Sequence, residues 1–281
     1  MPFAQPVQGV ADAAGPDQWF KSLPVVTRYW FGATIAVTLA ANFEIISSGQ
    51  CAFVWPLVRY KFELWRLLSC FLYAGPFSMN TMISCYMLVT FSRQYEAGGP
   101  YNTGAGGGTA DFAFMLMFGA AIMLITFPLV TAILGLPPIF CQNMISYVLY
   151  TWSRRNPTAQ ANIWGMPVPG NYLPFAHLAL TVFMGNPYAD QLHGLMCGHI
   201  YYFLVDVVPQ VQGKDILHTP RFLIDAFGIG EYRPTVEAVA PPQGGGARIA
   251  GLGNAAPAQN TAAVGGGGYT WGGGGRPLGR D

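Results

Sequence analysis

Phe112-Ala113-Phe114-Met115-Leu116-Met117-Phe118-Gly119-Ala120-Ala121-Ile122-Met123-Leu124-Ile125-Thr126-Phe127-Pro128-Leu129-Val130-Thr131-Ala132-Ile133-Leu134 contains no charged side chain, and Pro137-Pro138 follows it almost at once. A helix rising ~1.5 Å per residue covers about 35 Å over this run, enough for a hydrocarbon core of ~30 Å. The paired prolines then force a turn, and a second apolar run occupies Ile139–Trp152. Two apolar runs so close together predict a helical hairpin buried in lipid.

Working outward, four more stretches share this character. Tyr29–Ile46 is the first. Leu57 to Phe91 is longer, but Gly75-Pro76 interrupts it; Leu57–Tyr73 reads as a hairpin lying at one interface and about Phe77–Phe91 as the span. Tyr172–Met184 and Leu192–Val208 are separated by the turn Gly185-Asn186-Pro187. The expectation is six spans. The fourth and fifth, about 13 residues each, reach only about 20 Å, so either the bundle buries them or the bilayer thins around them.

Composition agrees. Of 281 residues 52% are hydrophobic and 10% charged, where soluble domains carry about 25% charged residues. A net charge of +1, with no basic cluster larger than Arg154-Arg155, excludes nucleic acid as a partner. Five cysteines without a CxxC spacing argue against both a metal site and a disulfide framework, and no cofactor is expected. Met1 to Gly15 hold no Lys or Arg and no apolar core, so the first span is expected to serve as an uncleaved insertion signal. Six spans put eleven Lys and Arg on one side of the membrane and three (Arg59, Lys61, Arg66) on the other, which predicts both termini in the cytosol.

The chain divides on this reading into a cytosolic segment 1–28, a membrane domain 29–208, a juxtamembrane segment 209–231 and a disordered Gly/Pro-rich tail 232–281. Several residues stand out. Trp65-Arg66 closes the interfacial hairpin, with Trp at headgroup depth and Arg able to snorkel. Gly194 and Gly198 form a GxxxG that allows a neighbouring helix to approach closely. His199, Tyr202 and Asp206, at i, i+3 and i+7, are expected to form a polar stripe. His193 and His177 read as isolated polar residues without a role.

Short bundles with a hairpin after the first span resemble rhomboid intramembrane proteases, which place a GxSG serine on the fourth span and a histidine three residues before a GxxxG on the sixth. Here Ser146 follows Met144-Ile145, and Gln191 occupies the histidine position. Neither end of a Ser–His dyad is present, and glutamine is no general base.

The quoted residues, with Trp19-Phe20-Lys21-Ser22-Leu23-Pro24, Thr27-Arg28-Tyr29-Trp30, Thr109-Ala110-Asp111-Phe112, Tyr172-Leu173-Pro174, Gly198-His199-Ile200-Tyr201 and Thr219-Pro220, resemble the Derlin family of rhomboid pseudoproteases. The resemblance implies an all-α, six-transmembrane-helix rhomboid-like bundle in the endoplasmic reticulum membrane. It further implies a non-enzymatic role in endoplasmic-reticulum-associated degradation. Misfolded proteins would enter a half-channel, and a membrane RING ubiquitin ligase complex and a valosin-containing-protein-type AAA ATPase would act with the bundle. Residues 269–279 are similar to the SHP box that binds this ATPase, with Trp271, Gly272, Arg276 and Leu278 as contact residues, a Gly where Gln is common, and Pro277 before Leu278. Homo- and hetero-oligomers stay open. An active protease lacks its nucleophile–base pair, and a small-molecule transporter or channel would usually show inverted repeats.

Overall fold

The computed structural model describes residues 15–101, 107–163, 166–213 and 217–227. The chain separates into units Met1–Ala238 and Val239–Asp281, and every described residue belongs to the first. The expected tail and SHP-like box, with Trp271, Gly272, Arg276 and Leu278, lie outside the described residues.

The described chain is mostly helical: α1 (Pro16–Lys21), α2 (Val25–Asn42), α3 (Ser48–Cys51), α4 (Trp55–Lys61), α5 (Arg66–Leu72), α6 (Met79–Gly98), α7 (Gly108–Leu134), α8 (Cys141–Arg155), α9 (Leu173–Phe183), α10 (Ala189–Tyr202), α11 (Val208–Gln212) and α12 (Arg221–Phe227). A π-helical turn, Phe203–Val207, joins α10 to α11. The expected all-α architecture has one exception. Strands β1 (Gln160–Ile163) and β2 (Met166–Pro169) pair antiparallel, Gln160 opposite Pro169 and Ile163 opposite Met166. An isolated two-stranded ladder tolerates Pro167 and Pro169 because both strands are edges.

Helix α8 is the centre. All its residues are buried except Gln142, Arg154 and Arg155, and it packs against α5, α6, α7, α9 and α10. A helix enclosed on every side need not match the bilayer. Helix α9 is different: its eleven residues bury Leu173, Pro174, His177 and Thr181 and expose Phe175, Val182 and Phe183. Of the two stretches expected to be short, one is an internal helix and the other a short helix with an apolar outer face.

Helix α7 begins one turn before the apolar run and includes Asp111, whose Oδ2 accepts from the Tyr101 amide at 2.7 Å. Its outer stripe is Ile125, Leu129 and Ile133, at i, i+4 and i+8. Mean hydropathy over its most apolar window is 2.3, and it is the one described helix long and apolar enough to cross a membrane by length and composition. The other bundle helices are shorter or carry polar residues that they turn inward.

Two devices fix the ends. Pro24 precedes α2 and offers no side-chain cap. Glu96 on α6 supplies one from outside, accepting from Val26 N at 3.0 Å and from Thr27 N and Oγ1 at 2.8 Å. The carboxylate thus satisfies amides that a helix start leaves free and complements its dipole. The α4–α5 hairpin turns at Phe62, which adopts a left-handed φ of 56°. Trp55, Tyr60, Phe62, Leu64, Trp65 and Leu68 line its exposed rim, an amphipathic layout suited to an interface.

Candidate functional site

Trp65 is exposed, as an interface anchor should be, but Arg66 does not snorkel. It is 6% exposed. Nε meets Glu63 Oε2 at 2.5 Å, and Nη1 donates to the carbonyls of Gly49, Gln50 and Ala52 at 2.7, 3.1 and 2.9 Å. A guanidinium has five donors in a rigid fork, so one side chain can tie three carbonyls and a carboxylate together. Arg66 is a knot inside the loop between α2 and α6.

The α8–α10 seam carries both glycines. A Cβ on Gly194 would stand 2.8 and 2.9 Å from Asn143 C and Cα, and closer still to the Asn143 carbonyl oxygen. One on Gly198 would stand 3.1 Å from Tyr150 Cβ and Cδ1 and 3.2 Å from the Tyr147 carbonyl. The backbones are nearest at Gly194.

The expected polar stripe is rearranged. His199 Nδ1 pairs with Tyr150 Oη at 2.7 Å, and Asp206 Oδ2 takes Arg155 Nη2 at 2.8 Å. Tyr202 is half-buried and makes no side-chain hydrogen bond among the described residues. The π turn at Phe203–Val207 begins after Tyr202, so it leaves the i, i+3 pair as it was and shifts only Asp206, at i+7, relative to His199. Tyr201, fully buried, sits inward instead. Its ring, with those of Tyr95 and Tyr101, surrounds the Arg155 guanidinium at 5.7, 5.4 and 4.7 Å, and Arg155 Nη1 also donates to the Tyr95 hydroxyl. Arg155 ends α8, where the helix dipole favours a cation.

His193 is not isolated. Its Nε2 lies 2.8 Å from Thr126 Oγ1 and its Nδ1 2.9 Å from Asn143 Nδ2, so it joins α7, α8 and α10. Gln191 Nε2 donates to Thr181 Oγ1 at 2.5 Å, linking α10 to α9. Ser146 Oγ is buried with no hydrogen-bond partner among the described residues. Just ahead of the expected sixth span, burial pushes the Asp190 carboxyl up from its ordinary value to about 6. Sequence reasoning did not single out Glu96, Arg155 or Asn143 as site residues and left His193 without a role, because their partners lie 50 to 70 positions away.

An apolar cleft of about 420 Å³ opens between α2, α5 and α7, lined by Trp30, Ala33, Phe71, Ala113, Met117 and Ala120 among others. It offers contact to apolar chains and no acid–base chemistry.

Residues 23–221 match the Der1-like family. The chain belongs to that family. Derlin-1.2 of Zea mays is 34% identical over 232 residues, covering 81% of this chain and 90% of the relative. Derlin-1 of Arabidopsis thaliana is 30% identical over 246 residues, covering 85% and 87%. A probable derlin-2 homolog of Dictyostelium discoideum is 30% identical over 227 residues, covering 78% and 85%. Family membership makes this a membrane protein with a Derlin-type role, in a rhomboid-like family generally regarded as inactive.

Proposed function

We propose that this protein is a Derlin-type, non-enzymatic component of endoplasmic-reticulum-associated degradation. It sits in the endoplasmic reticulum membrane with six spans and both termini cytosolic. It binds misfolded proteins in a half-channel, works beside a RING ubiquitin ligase, and recruits the AAA ATPase through residues 269–279. The observation that carries this reading is the length of α9. Its eleven residues rise about 16 Å, while its outer face is as apolar as that of α7. Lipid in contact with α9 must thin well below ~30 Å, or polar backbone must be exposed to hydrocarbon. A thinned bilayer lowers the barrier to moving a polar chain across it. The apolar cleft adds a surface for unfolded apolar segments. Ser146 has no base beside it, and the imidazole of His193 is engaged by Thr126 and Asn143, which suits holding a client without cutting it.

The test is reconstitution of the full chain in liposomes with a misfolded lumenal client, the ATPase and a ligase. Client export that needs this protein and ATP is expected, together with locally reduced bilayer thickness around the protein in electron cryomicroscopy of nanodiscs. Client cleavage, or export unchanged when the protein is left out, defeats the reading.

A further inference from the structure

The apolar cleft between α2, α5 and α7 carries a cation at its rim. Tyr29, in the second turn of α2, lines the cleft and is 69% exposed. The Arg28 guanidinium lies over the Tyr29 ring at 5.7 Å, and its Nη1 donates to the carbonyl of Lys21, the last residue of α1, at 3.2 Å. Arg28 has no carboxylate partner among the described residues. Lys21 reaches only Asp17, at 3.8 Å with both side chains exposed, a pairing that holds its charge weakly. The amides that open α2 are taken by the buried Glu96 carboxylate, so an anion arriving here meets side chains and not the helix end.

Size and chemistry select what fills the interior. Along α7 the cleft runs from Ala113 to Ala120, a rise of about 10 Å, which fits within one leaflet, half of a ~30 Å core. A helical segment, ~10 Å across, would need about 800 Å³ over that rise, well above the 420 Å³ present. An extended peptide is narrow enough, but the only side-chain nitrogen or oxygen atoms on the walls are the Tyr29 hydroxyl and the Trp30 indole N–H. Its backbone groups would go unpaired there, at a cost. A client can lay apolar side chains across the mouth, but the interior suits a chain with no polar group at all. Leu68 and Met117, both exposed, leave the cleft open sideways to lipid.

We propose that this cleft is a site for one anionic phospholipid, with an acyl chain between α2 and α7 and the phosphate against Arg28 and Lys21. A guanidinium matches phosphate geometry, and a basic pair at the membrane surface favours an anionic headgroup over a zwitterionic one. The site requires only that the chain sit in a bilayer and stands apart from the export role proposed above.

The test is native mass spectrometry of the full chain, reconstituted in vesicles of equimolar phosphatidylserine and phosphatidylcholine and then extracted into a mild detergent that strips surface lipid. One phospholipid per chain should remain, with phosphatidylserine favoured several-fold. Ala33→Trp and Ala120→Phe each place a ring in the cleft and should lower the retained lipid several-fold, while Arg28→Gln should keep the lipid and lose the headgroup preference. A measurement free of the filled variants uses vesicles whose acyl chains are brominated: these should quench the Trp30 emission, read as the difference between wild type and Trp30→Phe. Absence of retained lipid and of that quenching overturns the site. Equal retention by folded Ala33→Trp and Ala120→Phe assigns the lipid to the general surface and overturns it too. A second copy of the chain, or a peptide, found in place of lipid and lost in the filled variants gives the cleft to that occupant instead. Equal retention of the two headgroups by wild type overturns the phosphate contact with Arg28 and Lys21.

Discussion

A methyl group added at Gly194 should be far more damaging than one added at Gly198, although both glycines belong to the same GxxxG. At Gly194 the new Cβ meets only backbone, standing 2.8 Å from Asn143 C and 2.9 Å from its Cα, with the carbonyl oxygen nearer. These atoms belong to α8, which is walled in by five other helices and cannot retreat. The helices must separate, which strains the hydrogen bond between His193 and Asn143 and loosens the seam. Overpacking of this kind costs about 1–3 kcal/mol, occasionally more, and a clash with immobile backbone sits at the upper end. At Gly198 the contacts are 3.1–3.2 Å, two of the three being with the Tyr150 side chain, which can yield by a few tenths of an ångström. The helix preference of Ala over Gly, up to ~1 kcal/mol, offsets that cost. Gly198→Ala should therefore be nearly neutral and Gly194→Ala should lose about 3 kcal/mol. For a domain of this size that lowers the midpoint by roughly 6–12 °C. Thermal unfolding in detergent micelles, followed by tryptophan fluorescence, measures both variants. Gly194→Ala melting within a degree of wild type, or Gly198→Ala losing more than Gly194→Ala, would falsify the packing argument.

Arg66→Lys keeps the charge but cannot serve Glu63 and three carbonyls at once; it should cost about 3 kcal/mol, in the range for breaking a buried pair, and speed proteolysis between residues 44 and 65, while unchanged digestion counts against the knot. Asp190 binds its proton more tightly folded, at about 6, than unfolded, near 3.8. Stability should thus fall as pH rises through that window, by about 1–3 kcal/mol in all, and Asp190→Asn should flatten the profile and raise stability at pH 7; a profile unchanged by the substitution rejects this. In the tail, Leu278→Ala should weaken binding of the purified ATPase tenfold or more, as loss of an anchoring side chain worth roughly 1.5–3 kcal/mol requires, and a chain ending at Gly268 should bind no better than background. Equal binding by that truncated chain moves recruitment to the cytosolic loops.

Helix positions were legible in the chain because apolar length and proline breaks are local properties. Phe112–Leu134 and the Pro137-Pro138 turn stand in the sequence much as they stand in α7 and the start of α8, and Gly194 and Gly198 could be named as packing residues from spacing alone. Family membership was equally legible, since short motifs spread along the chain carry it. Tertiary structure decided what each helix faces. Two runs of similar length became opposites, α8 sealed from lipid and α9 open to it, because burial depends on neighbours that sequence does not order in space. Arg66 changed from a snorkelling residue to a buried knot, and His193 from an isolated polar residue to a link among three helices, because carbonyls 14 to 17 positions from Arg66 and partners 50 and 67 positions from His193 leave no periodic trace. The π turn shifted Asp206 relative to His199, since one inserted residue rotates all that follows and hydropathy does not register it.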